Sequence, residues 1–247
     1  MKRWHLIVTG LVIYVLGIIA TAPATLIDAG LQSISRGKLR LAEAQGTLWS
    51  GSGQIEIRDT GGRAGVAKNF AWRMLPESLL HGHLVCEIEL DRATRAFPVT
   101  ISLSRVELAN ADISLPATAL ALGVPKLAPL GLTGEILLHV ASLSVGRKQM
   151  QGNATLQWRD AGSVFTPISP LGDYELNLDA DGATAHVLLR TMQGPLQLDG
   201  KGTWASGGNP DFIAIARVPP QHQQQLSPLL RLIAVEREAG SFELQIK

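Results

Sequence analysis

The amino-acid sequence predicts a mainly β protein: an N-terminal transmembrane helix followed by an extended, twisted or curved antiparallel β-sheet body with a few short helices. Three observations support this fold class. Residues 6–24 carry no charge, apolar and polar residues alternate with a period of two through most of the remaining chain, and Gly- and Asp-rich turns separate the alternating segments. The chain of 247 residues, 46% of them apolar, is long enough to bury a core.

The first element is the uncharged run over residues 6–24. A helix of this length, rising about 1.5 Å per residue, nearly spans the roughly 30 Å hydrocarbon core of a membrane. Lys2 and Arg3 precede the run, so the positive-inside rule keeps the N-terminus in the cytoplasm and exports the rest of the chain. Residues 22–24 also resemble a signal-peptide cleavage site, which leaves removal of the leader as the alternative to a retained anchor.

The sequence therefore predicts four segments: a cytoplasmic N-terminus over 1–5, a transmembrane anchor over 6–24, a linker helix over 25–38 and a periplasmic β domain over 39–247. If the cell is a Gram-negative bacterium, this arrangement is that of a single-pass inner-membrane protein with its bulk in the periplasm. Residues 117–132, rich in Ala, Leu and Pro, are the best candidate for a junction inside the β domain.

Alternation of apolar and polar residues predicts about a dozen strands in the β domain. The apolar series include Ile55 and Ile57; Cys86, Ile88 and Leu90; Val99, Ile101 and Leu103; Tyr174, Leu176 and Leu178; Leu196 and Leu198; and Phe242, Leu244 and Ile246. Turns are expected at residues 59–62, 181–182, 207–210 and 239–240. The pattern fits a two-layer sandwich or one long curved sheet.

Helical patterns are few and short. They cover residues 25–35, 76–80, 116–122 and 219–233. Pro228 is expected to divide the last of these, because proline removes a helical hydrogen bond and clashes with the preceding turn.

Charge and cysteine content exclude several classes of protein. The net charge is +1 and the 22 Lys and Arg residues are spread along the chain, which argues against a nucleic-acid partner. The single cysteine, Cys86, rules out an intramolecular disulfide and a Cys-based zinc module. Its sulfur is expected on the inward face of a strand as a small apolar group.

The search for catalytic motifs yields no convincing site. Ser35 and Lys38 have the Ser-x-x-Lys spacing of penicillin-binding enzymes, but the accompanying motifs are absent. His81 and His83 would share one face of a strand and Cys86 the other, which is poor geometry for one tetrahedral ion. We therefore predict no catalytic, cofactor-binding or metal-binding residue, no cofactor and no small-molecule substrate.

The pairs of acidic residues also have simpler explanations than catalysis or metal binding. Asp179 and Asp181 begin like a calcium loop, but the distal ligand position is occupied by Arg190, so a hairpin turn explains them better. Glu87 and Glu89 are expected on an exposed strand face, where nothing would shift their pKa values into a catalytic range. Of the five tryptophans, four lie at strand ends and are interpreted as closing the rim of an apolar sheet: Trp49, Trp72, Trp158 and Trp204.

Several short segments resemble the N protein of the bacterial type II secretion system. They are residues 42–53 (AEAQGTLWSGSG), 72–80 (WRMLPESLL), 168–178 (ISPLGDYELNL), 200–204 (GKGTW) and 226–233 (LSPLLRLI), preceded by a membrane anchor. The resemblance implies a non-enzymatic inner-membrane accessory subunit in the export of folded exoproteins across the outer membrane. Its implied partners are other single-span subunits of the inner-membrane platform, with the outer-membrane secretin as a further candidate.

Two functions of other classes remain open. The first alternative is a periplasmic lipid-binding or lipid-bridging protein similar to the AsmA-like proteins, which would need a continuous apolar lining along one face of the sheet without a polar plug. The second is an enzyme, which would need a pocket with converging buried carboxylates or a serine beside a histidine.

Overall fold

The computed structural model describes residues 2–35, 37–58, 64–91, 95–120, 127, 130–206 and 208–246. The chain divides into two compact units, Met1–Ala93 and Thr94–Lys247. The junction predicted over 117–132 therefore lies within the second unit, and part of it is outside the described residues. The turn predicted at 59–62 also lies outside them.

The first unit contains, in its described part, two helices and four antiparallel strands. They are α1 (Lys2–Ala20), α2 (Thr25–Ser35), β1 (Leu39–Gly46), β2 (Ser50–Arg58), β3 (Ala64–Leu75) and β4 (His83–Leu90). Each strand pairs with the next one along the chain. A 3₁₀ helix, Pro76–His81, joins β3 to β4 where the sequence predicts a short helix.

The N-terminal helices are separate rather than continuous. Helix α1 ends at Ala20, and Pro23 forms an isolated antiparallel bridge with Thr47 before α2 begins at Thr25. Proline cannot donate to a helical hydrogen bond, which is consistent with a break at this point. Within the described ranges, no helix combines the length and the apolar character needed to cross a membrane.

The core of the first unit lies between its sheet and α2. Leu41, Phe70, Trp72 and Cys86 are buried on one face of the sheet. The helix side chains Ile27 and Leu31 pack against this cluster. Phe70 and Trp72 are stacked with their ring centroids 5.5 Å apart. The position of Cys86 confirms the prediction that its sulfur serves as a small apolar group.

The second unit contains, in its described part, ten strands and one α-helix. They are β5 (Phe97–Ser102), β6 (Arg105–Pro116), β7 (Leu132–Gly146), β8 (Met150–Ser163), β9 (Gly172–Gly182), β10 (Thr184–Gln193), β11 (Gln197–Ala205), β12 (Pro210–Arg217), α3 (Gln223–Leu230), β13 (Val235–Glu238) and β14 (Ser241–Ile246). Strands β5 to β12 pair antiparallel in chain order, β14 pairs with β12, and β13 pairs with β14. These pairings make one sheet of this unit rather than a sandwich.

The apolar face of this second sheet is covered in part by α3. Leu226, Leu229 and Leu230 of the helix are buried against Ala216 and Phe242 of the sheet. Two expectations are corrected here. Pro228 does not divide α3, because it is exposed and the carbonyl that it leaves unbonded belongs to exposed Gln224, which water can reach. Leu103 does not face a core: it lies in the turn after β5 and is 97% exposed.

Candidate binding surfaces

A cavity of about 310 Å³ lies between the sheet of the second unit and the helix that covers it. Leucines of the sheet line one side, including Leu176 and Leu189, and Leu229 and Leu230 of α3 line the other. Leu176 and Leu189 are only half-buried, so the cavity is open to the surface. The size falls in the range of small-molecule pockets, which are commonly lined by apolar side chains.

The cavity exists because small residues occupy the middle of one register row. Antiparallel pairing aligns Leu189 with Gly200, Gly200 with Ala214, and Ala214 with Leu244. Gly200 and Ala214 therefore stand between two leucines on the same face of the sheet. Ala214 projects little from the sheet, and above Gly200 the ring of Phe212 lies between the sheet and the cavity, which leaves space below the helix side chains.

Phe212 lies over the same part of the sheet. A Cβ atom placed on Gly200 would come within 2.6 Å of Cζ of Phe212, and one on Gly202 within 2.8 Å of its Cδ2. Glycine at both positions therefore allows the phenyl ring to lie flat against β11. The ring contributes an apolar surface to the cavity.

The aromatic side chains that line the cavity turn their polar atoms to the main chain. The hydroxyl of Tyr174 donates to a carbonyl oxygen, lying 2.9 Å from that of Leu196 and 3.2 Å from that of Leu171. Burial raises the pKa of Tyr174, so the hydroxyl keeps its proton at neutral pH. The indole N–H of Trp158 donates to the carbonyl of Thr133 at 3.0 Å. A molecule in the cavity thus meets hydrocarbon and aromatic carbon from these residues.

The opposite face of the same sheet carries a polar cluster around Glu175, which is only 7% exposed. Asn177 and Arg190 donate hydrogen bonds to Oε1 of this carboxylate at 2.9 and 2.6 Å, and Gln157 donates to Oε2 at 3.2 Å. The hydrogen bond from Asn177, together with those from Arg190 and Gln157, lowers the pKa of Glu175 against the effect of burial. A carboxylate held ionised in this way is suited to a structural role rather than to proton donation.

The two units end in strands of different accessibility. Strand β1 is covered by the chain that precedes it: its Leu41 N–H donates to Oδ1 of Asp28 at 2.8 Å, and the Ala24 N–H donates to the carbonyl of Gly46 at 3.3 Å. Strand β13 pairs on one side with β14, and all four of its residues are exposed. An exposed edge strand offers main-chain groups to which a partner can add a strand.

A shallow polar hollow of about 330 Å³ lies in the first unit. Its lining includes Glu43, Gln54, Asn69, Glu89 and Asp91. Gln54, Asn69 and Glu89 stand on the face of the sheet opposite to the core, and Lys68 forms an ion pair with Asp91 at 2.9 Å. We assign no chemistry to this hollow.

The residues weighed in the sequence for catalysis or metal binding occupy scattered positions. Ser35 ends α2, and its hydroxyl accepts the N–H of Leu39 at 2.9 Å, which gives it a local structural role. His81 ends the 3₁₀ helix rather than lying on a strand with His83, and their ring centroids are 6.1 Å apart. Across the described ranges, no group of three or more His, Cys, Asp or Glu side chains is arranged to hold a metal ion.

The acidic pairs lie where the sequence places them. Glu87 and Glu89 are exposed on β4, and Asp179 and Asp181 are exposed near the β9–β10 turn. Each of the four tryptophans donates its indole N–H to a main-chain carbonyl: Trp49 to Ile19, Trp72 to Leu48, Trp158 to Thr133 and Trp204 to Gly208. Trp49 and Trp204 lie at strand ends as predicted. The prediction is wrong for the other two, because Trp158 lies inside β8, and Trp72 lies inside β3 and is buried in the core of the first unit.

Two features of the site were missed in the sequence, namely the cavity and the burial of Glu175. The signal for the cavity was the alternation of Gly200 and Gly202 in β11 beside Ala214 and Ala216 in β12, since small residues recur there on one face of the sheet. For Glu175 the alternation correctly predicted the face of the sheet. It carried no information about the long side chains that cover the carboxylate.

Comparison with known proteins gives one family. The family model described as "Type II secretion system (T2SS), protein N" matches residues 37–245. A relative named "Type II secretion system protein N", from Pectobacterium carotovorum subsp. carotovorum, is 27% identical over 227 residues, covering 86% of this chain and 84% of the relative. No solved structure matches the chain.

Proposed function

The chain belongs to the type II secretion system protein N family, and from this membership we propose that it is a non-enzymatic accessory subunit of that secretion machine, acting in the inner membrane through a periplasmic β body. The family is a component of secretion machinery and is not a known enzyme family. The observation that carries the proposal is the family match, which extends over almost all of the β strands.

An anchor over residues 6–24 is part of this proposal. The run is free of charged residues and follows Lys2 and Arg3, which favours a cytoplasmic N-terminus. Large apolar side chains of α1 are exposed, including Ile7 at 68%, Leu11 at 61% and Ile13 at 64%. A bilayer would cover such side chains, whereas their exposure to water costs free energy.

The contact that we propose for the β body is strand addition at β13. This strand is short and exposed, and its contact with the end of α3 joins the side chains of Arg231 and Glu236, whereas at β1 the carboxylate of Asp28 accepts a main-chain N–H. The partners that fit the proposal are other single-span subunits of the inner-membrane platform, with the outer-membrane secretin as a further candidate. Main-chain hydrogen bonds would provide affinity, and the exposed side chains of the strand would provide selectivity.

Deletion of the gene tests the proposed role. We expect exoproteins to accumulate in the periplasm of the deletion strain and secretion to return when the full chain is supplied. Normal secretion, together with an unchanged composition of the inner-membrane platform, would contradict the proposal.

Site-directed photo-crosslinking in intact cells tests the proposed contact. A photoreactive amino acid at Val235, which is 62% exposed on β13, is expected to join the full chain to another secretion subunit. The matched control is the same amino acid at Leu103, which is exposed but lies in the turn after β5. Equal products from both positions, or none from Val235, would argue against strand addition at β13.

A further inference from the structure

We propose that the apolar cavity of the second unit binds one acyl chain of a membrane phospholipid, while the head group remains in water. The described residues of the site include Phe212 and Ala214 at its floor and Leu176, Leu189 and Leu230 in its walls. Binding here is a property of the β body that secretion-subunit membership does not assign.

The hydrogen bonding of the polar groups in the cavity walls favours a hydrocarbon ligand. The hydroxyl of Tyr174 and the indole N–H of Trp158 are both hydrogen-bonded to main-chain carbonyls. The strands beneath are paired with their neighbours on both sides, which engages their main-chain groups. A hydrocarbon chain has no polar atom that needs a partner, so it can enter without leaving a group unsatisfied.

The need of buried polar groups for hydrogen-bond partners argues against a peptide as the ligand. A peptide segment brings an N–H and a carbonyl group with every residue, and each one buried without a partner weakens binding. The walls named above provide no main-chain edge to which such a segment could pair. The cavity therefore differs from the exposed edge of β13, where main-chain pairing is available.

The half-buried leucines indicate that the space is accessible. Leu176, Leu189 and Leu244 line the cavity but remain intermediate in exposure, although they stand on the apolar face of the sheet. An acyl chain packed against them would remove this apolar area from water, which stabilises the complex. The choice of phospholipid over free fatty acid rests on the proposed membrane anchor, which keeps the unit beside a bilayer of esterified chains.

A photoreactive lipid tests the proposal on the full chain in living cells. Cells are fed palmitic acid that carries a diazirine and a terminal alkyne, and they incorporate it into their phospholipids. After irradiation the full chain is purified and its adducts are located by mass spectrometry. We expect adducts with the mass of an intact phospholipid on peptides that contain cavity residues such as Leu176 and Leu189.

Two variants make the test specific. Leu189→Trp fills the cavity and is expected to reduce the cavity adducts about tenfold. Leu188→Trp makes the same exchange on the adjacent residue, which is 54% exposed on the opposite face, and should leave adduct yields within about twofold of wild type. Ala214→Leu places a larger side chain at the floor of the cavity. This variant replaces Leu189→Trp in the test if Leu189→Trp does not accumulate as a folded chain.

The possible results separate clearly. Cavity adducts that are sensitive to Leu189→Trp or Ala214→Leu support the proposal. Adducts confined to residues 6–24, adducts of free fatty acid alone, or cavity adducts that the filling variants leave unchanged would overturn it. The secretion phenotype of the deletion strain is measured separately, so loss of either proposal leaves the other standing.

Discussion

The two units cover the apolar face of a sheet with a helix in different ways. In the first unit, Ile27 and Leu31 of α2 pack against large side chains, with Phe70 and Trp72 stacked beneath them. In the second unit, α3 covers a sheet whose centre holds Gly200 and Ala214 beneath the ring of Phe212, and a cavity of about 310 Å³ remains. The difference teaches that the size of the residues at the centre of a sheet decides whether a covering helix fills the space or encloses it.

The largest effect is expected from removing the centre of the filled core. Trp72→Ala should destabilise the first unit by about 3–5 kcal/mol, because the indole is 3% exposed and packs against Phe70. The readout is the reaction of Cys86 with a thiol reagent. This sole cysteine is buried in the same core, and burial raises the pKa of its thiol, which lowers the thiolate fraction that reacts.

In this experiment the labelling rate of Cys86 should increase by at least about a hundredfold, since opening of the first unit exposes the sulfur. Trp204→Ala is the control, because that side chain is 41% exposed and belongs to the second unit. Equal acceleration by both variants would show that Cys86 does not report on the first core.

A pair of leucine truncations tests the comparison directly. Leu41→Ala, in the filled core at 3% exposure, should cost about 2–5 kcal/mol, as large-to-small changes in packed cores do. Leu189→Ala should cost about 1 kcal/mol, because its side chain already borders empty space and loses fewer packing contacts. Urea unfolding followed by circular dichroism measures both. Equal costs would contradict the distinction between a filled and a hollow core.

The smallest effect is expected on the polar face of the second unit. Because the pKa of Glu175 is lowered in the folded state, its carboxylate stabilises the fold above the ordinary glutamate range, and this contribution is lost as pH falls through the lowered pKa. Glu175→Gln should therefore reduce stability by about 1 kcal/mol near neutral pH, with exposed Arg190 limiting the value.

The pH dependence of stability checks the prediction for Glu175→Gln. Urea unfolding between about pH 7 and about pH 3 should show the wild type and Glu175→Gln converging as the solution becomes acidic. Glu238→Gln removes one negative charge from an exposed position on β13 and controls for the change in net charge. A difference between wild type and Glu175→Gln that stays constant across this range would contradict a structural role for the ionised carboxylate.

Much of the fold could be predicted from local patterns. Alternation located β2, β4, β9 and β14 because each presents one apolar face, and the short helix after β3 was predicted at Pro76. Family resemblance was confirmed over residues 37–245. Leu103 and Pro228 were misplaced because alternation does not show where a strand ends, and because a proline is tolerated where water can reach the unbonded carbonyl.

The cavity could not be predicted in the same way, since it depends on register across several strands. Leu189, Gly200 and Ala214 are distant in sequence and become neighbours only when β10, β11 and β12 pair in this register. The burial of Glu175 also depends on strand register, because it comes from Gln157 and Arg190 on the two adjacent strands. Properties of this kind belong to pairs and rows of residues, and no single segment of the chain carries them.

The helix contact at β1 has a consequence for copies of this chain that meet one another. The carboxylate of Asp28 accepts a hydrogen bond from the N–H of Leu41, and the N–H of Ala24 donates one to the carbonyl of Gly46. A second molecule that approached this strand would have to displace those bonds before it could pair with it. The protein can therefore be crowded to high density without growing into edge-to-edge fibres from this side.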